Sequence, residues 1–387
     1  MFAMNRILNT REGINELVRT KRNASRTSSS KCSTPFLIKS RFVTSASNSS
    51  SENAASSNSS NSSNTSSIKN KTLKCRDSNE GIDIGTIGIG TLQWGDSKAG
   101  FGETFRENDL MNVYAQAREA NIKFFDTAEI YGYQNTKFEQ SSEHILSRCI
   151  RNEEEGSVKN EKECVLGSKV FTIPWTNALL GGGFRIGKDS LVTAGKESVR
   201  RMGGRQMDLW SIHFPFPSFS QDVLCSALEE ALDLGLTKAV GVSNYDKEQL
   251  EKAYDILSKR GIPLACNQIE HSILNRKAEK SGLLQSCFDR DVVVVAYSPL
   301  KALKTKDIEQ KYVIMNKLCD FIGQTCSGGK STVAVQLNYC MAKGCVPIPG
   351  VKKADQIKDI EAAMGWTLDA ESLCTIDEKM DYLDGLK

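Results

Sequence analysis

Four polar side chains stand at the ends of apolar, strand-like runs or in the turn just after one. They are Asp126 and Tyr131 in "FFDTAEIYG", Lys169 in "VLGSKV" and His213 in "LWSIHFP". A lysine at the end of an apolar strand is costly to bury without a charge partner, and Asp126 on the neighbouring run is the natural one. An ammonium held near a phenol favours the phenolate and lowers the phenol's pKa from its ordinary value of about 10. That makes Tyr131 a candidate proton donor near neutral pH. His213, one run further along, is placed to hydrogen-bond the same substrate oxygen. The set suits protonation of a carbonyl oxygen while the carbonyl carbon receives a hydride. Singly, each residue has a plainer reading: Asp126 as a turn cap, Lys169 as a solvated strand end, His213 as a core histidine. Four together at successive positions are harder to treat as accident. Asp126 and His213 are the only plausible metal ligands here and they flank a lysine, so no metal is expected.

The runs that carry these residues belong to a regular series. A Gly-rich segment, "DIGTIGIGTLQWG", is followed by "KFFDTA", "CVLGSKV", "MDLWSIHF", "KAVGVSN", "LACNQIEHS", "VVVVAYSPL" and "CVPIPG". Amphipathic stretches such as "NDLMNVYAQAREAN", "DVLCSALEEALDLG" and "KEQLEKAYDILSKRG" lie between them, the last two closing on Gly235 and Gly261, where glycine suits a left-handed cap. Continuous apolar strands with helices between them imply a parallel sheet covered on its outer face. Eight such units in about 310 residues predict an α/β fold of the (β/α)8 TIM-barrel type over 79–387. A doubly wound dinucleotide fold is disfavoured, because "GTIGIGTLQWG" is not followed by a helix. In a barrel the strand C-termini share one mouth, which is where the polar residues above would meet.

Composition narrows the class. The chain has 387 residues, 39% hydrophobic and 25% charged, with a net charge of +3, so no nucleic-acid partner is indicated. No apolar run reaches the roughly 18 residues of a membrane span. Twelve cysteines are scattered without C-x-x-C spacing and read as buried, reduced thiols.

Residues 1–78 differ in kind. The stretch "SASNSSSENAASSNSSNSSNTSS" is almost all small and polar, and residues 1–75 hold twelve Lys or Arg against three acids. Such a segment cannot bury enough apolar surface to order itself. Basic, Ser-rich and acid-poor, it reads as an organelle transit peptide, with a disordered tail as the plain alternative.

A glycine run at 181–190, "GGGFRIGKDS", imitates a phosphate loop. Gly182, Gly187 and Lys188 fit the spacing, but Asp189 occupies the position where a hydroxyl would ligate magnesium. Residues 172–188 instead read as a loop at the strand mouth, with Asp189 or Ser190 as the N-cap of a following helix.

The ordered series "FFDTAEIYG", the Lys169 strand, "DLWSIHFP", "GVSN", "NQ" at 267–268, "YSPL" at 297–300 and "PIPGVKKADQ" resembles the aldo-keto reductases over about 80–387. The tags "GVKKADQ" and "AAMGW" are most like the plant and algal plastid branch. The resemblance implies NADP(H)-dependent reduction of an aldehyde or ketone, with Tyr131 as general acid, Lys169 and Asp126 as its tuning pair, and His213 orienting the carbonyl. It implies that Gly90, Thr91 and Leu92 line the nicotinamide end, that Ser243, Asn244 and Gln268 hold the carboxamide, and that Tyr297 stacks on the ring. Phosphates would lie near Ser298, Leu300 and Gly350 and at the helix opened by "GVKKADQ". There Lys352 and Lys353 would meet a 2′-phosphate and Gln356 the adenosine end. The family's adenine-contacting Asn is replaced by Ile360. Trp94 and Trp175 are expected to wall the substrate pocket.

The competing expectation is an NADP(H)-binding regulatory subunit with little turnover. The remaining expectations are a small-molecule carbonyl substrate, no membrane partner and a monomer. Location is expected in a plastid, with mitochondrion or cytoplasm as alternatives.

Overall fold

The computed structural model describes residues 68–155, 164–173, 184–300 and 306–385. A hairpin opens the ordered chain: β1 (Lys71–Leu73) pairs antiparallel with β2 (Ile82–Gly85). Next come β3 (Gly88–Gly90), α1 (Glu107–Glu119), β4 (Phe124–Asp126), α2 (Ser142–Glu155), β5 (Val165–Val170) and α3 (Gly187–Arg201). Then follow β6 (Met207–Ile212), α4 (Gln221–Asp233), β7 (Thr237–Ser243), α5 (Lys247–Lys259), β8 (Leu264–Glu270), α6 (Lys277–Lys280) and α7 (Leu283–Asp289). The chain ends with β9 (Val293–Tyr297), α8 (Lys306–Thr325), α9 (Thr332–Ala342), β10 (Val346–Ile348), α10 (Gln356–Glu361) and α11 (Ala370–Asp384).

Strands β3 to β10 form one all-parallel sheet in sequential order. A parallel bridge between Gly90 and Gly350, with Gly90 N–H donating to Pro349 O at 2.9 Å, joins the last strand to the first. The eight-stranded barrel expected from the sequence is therefore present. Its helices form as their patterns dictate. In α5 the capping box of Asp246 and Gln249 satisfies both ends of the first turn, while Leu250, Ala253 and Leu257 recur on the buried face. Gly235 and Gly261 follow α4 and α5 at φ +64° and +71°, the left-handed caps expected there.

The barrel interior is filled by Phe124, Val165, Leu209, Ala239, Cys266, Val295 and Val346. Leu73 and Ile84 of the hairpin belong to the same cluster. Phe124, Val165 and Val346 are the first residues of their strands, so the hairpin plugs the N-terminal end and leaves the C-terminal mouth to the chemistry. The folded chain thus begins before Asn79, at least as early as β1. A three-residue strand in basic, polar surroundings carries no period that the sequence reading could detect. Gly241 keeps the interior from overfilling: a Cβ there would stand 2.6 Å from Cys266 Sγ and 2.7 Å from Ser211 Oγ.

Two other expectations are corrected, the N-cap of α3 and the place of Trp94. Helix α3 starts at Gly187, with Ile186 in the cap position, so Asp189 and Ser190 lie in the first turn and not at the cap. Asp189 still faces the positive end of the helix, where a carboxylate is stabilised. Lys188 pairs with Glu230 of α4 at 2.5 Å, a surface ion pair with no part in phosphate binding. Trp94 is fully buried, its indole donating to Val351 O at 2.9 Å, so it is core and no wall of a pocket. Residues 1–67, Trp175 and the glycines 181–183 lie outside the described residues. Within the described residues no helix is long and apolar enough to cross a membrane.

Candidate active site

Asp126 ends β4 and Lys169 stands near the end of β5, adjacent strands in the sheet. Lys169 Nζ donates to Asp126 Oδ2 at 2.6 Å and to Thr127 O at 2.7 Å, with both side chains almost wholly buried. The ammonium lies 4.9 Å from the centroid of the Tyr131 ring. Tyr131 reaches this position because its turn is held on both sides. Its N–H donates to Ala128 O and its carbonyl accepts from Ser142 N, the first residue of α2, both at 3.0 Å. His213 follows β6, its N–H on Val170 O. Its ring meets Tyr131 edge-on at 5.8 Å, meets Phe171 edge-on at 5.3 Å, and stacks on Phe214 at 5.0 Å. The structure brings all four sequence-predicted residues into one mouth.

The electrostatics differ from the expectation in one respect. Burial pushes the Tyr131 phenol up, Lys169 pulls it down by charge and hydrogen bond, and Asp126 pushes it up again, leaving it above its ordinary value. Lys169 therefore limits the rise caused by burial and does not bring the phenol below its usual range. The consequence is a phenol that keeps its proton at neutral pH, beside a cation that stabilises the phenolate left after the proton is given. Burial works against the Lys169 ammonium, yet Asp126 and Tyr131 hold it charged, with its pKa raised. Burial, with Lys169 next, lowers the His213 imidazole well below its ordinary value. The ring is neutral at pH 7, and its Nδ1 is buried with no partner among the described residues.

The residues expected to hold a nicotinamide carboxamide are also gathered here, and they are tied to one another. Ser243 Oγ donates to Gln268 O at 2.9 Å. Asn244 Nδ2 donates to His213 O at 2.9 Å and Ser243 Oγ at 3.1 Å, while its Oδ1 accepts from Tyr297 OH at 2.8 Å. Gln268 Nε2 donates to Asp126 Oδ1 at 2.7 Å. Capacity remains mainly on the oxygens, which suits the NH2 of a carboxamide. Asn244 and Ser298 sit at φ +61° and +52°, left-handed backbone that non-glycine residues adopt at a cost and that clusters at functional sites.

The other residues expected at the cofactor are placed less uniformly. Thr91 is fully buried, and its hydroxyl is engaged by Asp126 O at 2.9 Å and Ser142 Oγ at 2.6 Å, so it braces the Asp126 backbone rather than presenting an OH. Leu92 is 58% exposed. The last barrel helix starts only at Gln356 and spans six residues. The Gln356 side chain is turned back, its Oε1 accepting from the N–H groups of Lys352 at 2.9 Å and Lys353 at 3.0 Å. Those amides are not free for a phosphate. Lys352 Nζ reaches Ala99 O at 3.3 Å and lies over Phe105, while Lys353 is exposed. Ile360 is buried in the main core, so the adenine-side position has become a packing position. Gly90 and Gly350 meet at the barrel seam, and Leu300 packs against the core.

Sequence reading missed a layer of buried charge behind these residues. Arg185 forms a two-pronged pair with Glu129, at 2.5 and 3.1 Å, and also bonds Phe171 O. Glu129 accepts from Phe171 N at 2.5 Å. Glu143 accepts from Arg201 Nε at 2.5 Å and Ser168 Oγ at 2.7 Å. The available signal was Glu129 itself, an acid inside the turn that carries Tyr131.

Residues 86–381 match the Aldo/keto reductase family. The chain belongs to that family. Among its curated relatives is the chloroplastic pyridoxal reductase of Arabidopsis thaliana, 28% identical over 306 residues, covering 74% of this chain and 80% of the relative. Among solved structures, an aldo-keto reductase of Klebsiella pneumoniae in complex with NADPH superposes with a TM-score of 0.60 at 22% identity, over 80% of this chain and 94% of that one. The glycerol dehydrogenase of Gluconobacter oxydans gives 0.63 at 20% identity, over 81% and 95%. The shared barrel is thus the aldo/keto reductase fold.

Proposed function

We propose that this aldo/keto reductase reduces an aldehyde or ketone to an alcohol with NADPH. The observation that carries the reading is the buried Lys169–Asp126 pair under a protonated Tyr131, with neutral His213 at its edge. NADPH, when bound, supplies the hydride. Tyr131 gives its hydroxyl proton to the carbonyl oxygen, and Lys169 stabilises the phenolate that remains. Neutral His213, edge-on to the Tyr131 ring, would orient that oxygen, since a neutral imidazole carries one N–H donor. Gln268, Asn244 and Ser243 would hold the carboxamide and Tyr297 the ring face. Gly90, Thr91, Leu92 and Gly350 would line that end through backbone and apolar contact, with Ser298 and Leu300 beside the phosphates.

Lys352 and Lys353 are the cations available to a 2′-phosphate. Replacing both with Ala is expected to weaken NADPH binding roughly 10–100-fold, the loss of one or two charge-assisted contacts, while NADH binding stays nearly unchanged. Equal losses for the two cofactors would remove these lysines from the assignment.

The test of the activity is NADPH oxidation by the full chain over a panel of carbonyls. Pyridoxal belongs in the panel because the Arabidopsis relative is named for it. Absence of turnover with retained NADPH binding would favour the regulatory-subunit reading. The basic, acid-poor segment before the barrel supports delivery to a plastid. A fusion of residues 1–78 to a fluorescent protein is expected to enter chloroplasts, and a fusion that stays in the cytoplasm would dismiss the transit role.

A further inference from the structure

Gln268 makes a contact that holding a carboxamide does not require. Its strand, β8, lies four places from β4 in the ring of eight, on the opposite wall. Yet Gln268 Nε2 reaches across the mouth to Asp126 Oδ1 at 2.7 Å, while Lys169 holds Oδ2 at 2.6 Å. Both carboxylate oxygens are therefore bound by buried donors on different walls. A carboxylate paired with an ammonium has no proton to give, so the amide nitrogen must face it and the amide oxygen is left over. Gln268 is itself 4% exposed, so its donor has no solvent alternative.

From this geometry we infer that Gln268 is a positioning residue for Asp126. It fixes the rotation of the carboxylate so that Oδ2 stays on Lys169, and it links the cofactor end of the mouth to the pair behind Tyr131. The inference rests on the reading of Tyr131 as proton donor. The charged and titratable groups facing Tyr131 are Lys169 from β5, Asp126 from β4, His213 after β6 and Tyr297 from β9. Asp126 already raises the phenol through its charge. With the Gln268 donor removed, that charge is less neutralised and the phenol rises further.

The test uses Gln268→Met, close in length and without a donor. Tyr131 is followed in the cofactor-free protein by fluorine NMR, with a difluorotyrosine at position 131 to bring the titration into a range where the fold survives. The midpoint is expected to move up by roughly half to one pH unit in Gln268→Met, and in the same direction in Gln268→Asn, whose side chain falls short of Asp126. In an Asp126→Asn background, Gln268→Met is expected to leave the midpoint where it is. NADPH affinity, measured by fluorescence titration, reports the carboxamide role separately. An unmoved midpoint with weakened NADPH binding would overturn the positioning role and leave the Tyr131 reading intact. An equal shift in the Asp126→Asn background would also overturn it, because the effect would then bypass Asp126. Failure of the underlying reading shows elsewhere, as full turnover in a Tyr131→Phe variant.

Discussion

Tyr131→Phe is expected to lose about 10²- to 10⁴-fold in kcat for carbonyl reduction, the range for removing a positioned general acid, while NADPH affinity changes less than about threefold. The split follows from the geometry. A phenyl ring keeps the contact over Lys169 and the edge on His213, so the walls of the site stand as before. Only the hydroxyl is lost, and with it the one group here that has a proton at neutral pH and a cation beside it to receive the resulting charge. His213 cannot substitute: burial and Lys169 keep its ring neutral, so giving up its single N–H proton would leave an anionic ring. Steady-state kinetics and fluorescence titration of NADPH on the same variant make the comparison. Unchanged turnover would remove Tyr131 from its role.

Arg185→Met is expected to be the most damaging substitution away from the reacting atoms, costing about 3–5 kcal/mol of stability, as breaking one side of a buried ion pair does. Arg185 and Glu129 are 1% and 2% exposed, and Met leaves the Glu129 carboxylate buried without its cation. Glu129 sits two residues before Tyr131 and also holds Phe171 N, and the Phe171 ring meets the His213 edge. Loss of the pair therefore loosens both sides of the catalytic mouth. Adding Glu129→Gln is expected to restore most of the stability, because the amide oxygen can still accept from Phe171 N and no charge is left unpaired. Chemical denaturation of the single and double variants measures this. A single variant as stable as the parent would contradict a structural role for the pair.

The barrel and its four central residues were legible because they obey local rules. Apolar strands such as "VVVVAYSPL" alternate with capped amphipathic helices, and strand C-termini in such a barrel must converge. The hairpin was not legible: Leu73 is its fully buried anchor, but three residues of "KTL" show no alternation. Nor could the sequence say which aromatic faces the core, and Trp94 reads the same as a pocket wall until its indole is found on Val351 O. Arg185 lay hidden in a glycine-rich stretch whose only visible pattern was an imitation phosphate loop. Gln356 was named as an adenosine contact, but its return to the Lys352 and Lys353 amides depends on a rotamer that spacing does not encode. The direction of the Tyr131 shift was misjudged for a related reason. Neighbouring charges can be guessed from strand order, whereas the burial that outweighs them is a property of the assembled mouth.

Titration of the position-131 phenol in the parent and in Lys169→Met, by the same fluorine signal, bears most directly on the chemistry. With its ammonium neighbour gone, the midpoint is expected to rise by roughly one pH unit or more, and carbonyl reduction to fall with it. A midpoint that stays in place, or falls, would mean that Lys169 does not stabilise the Tyr131 phenolate, and proton delivery would have to be assigned to another group.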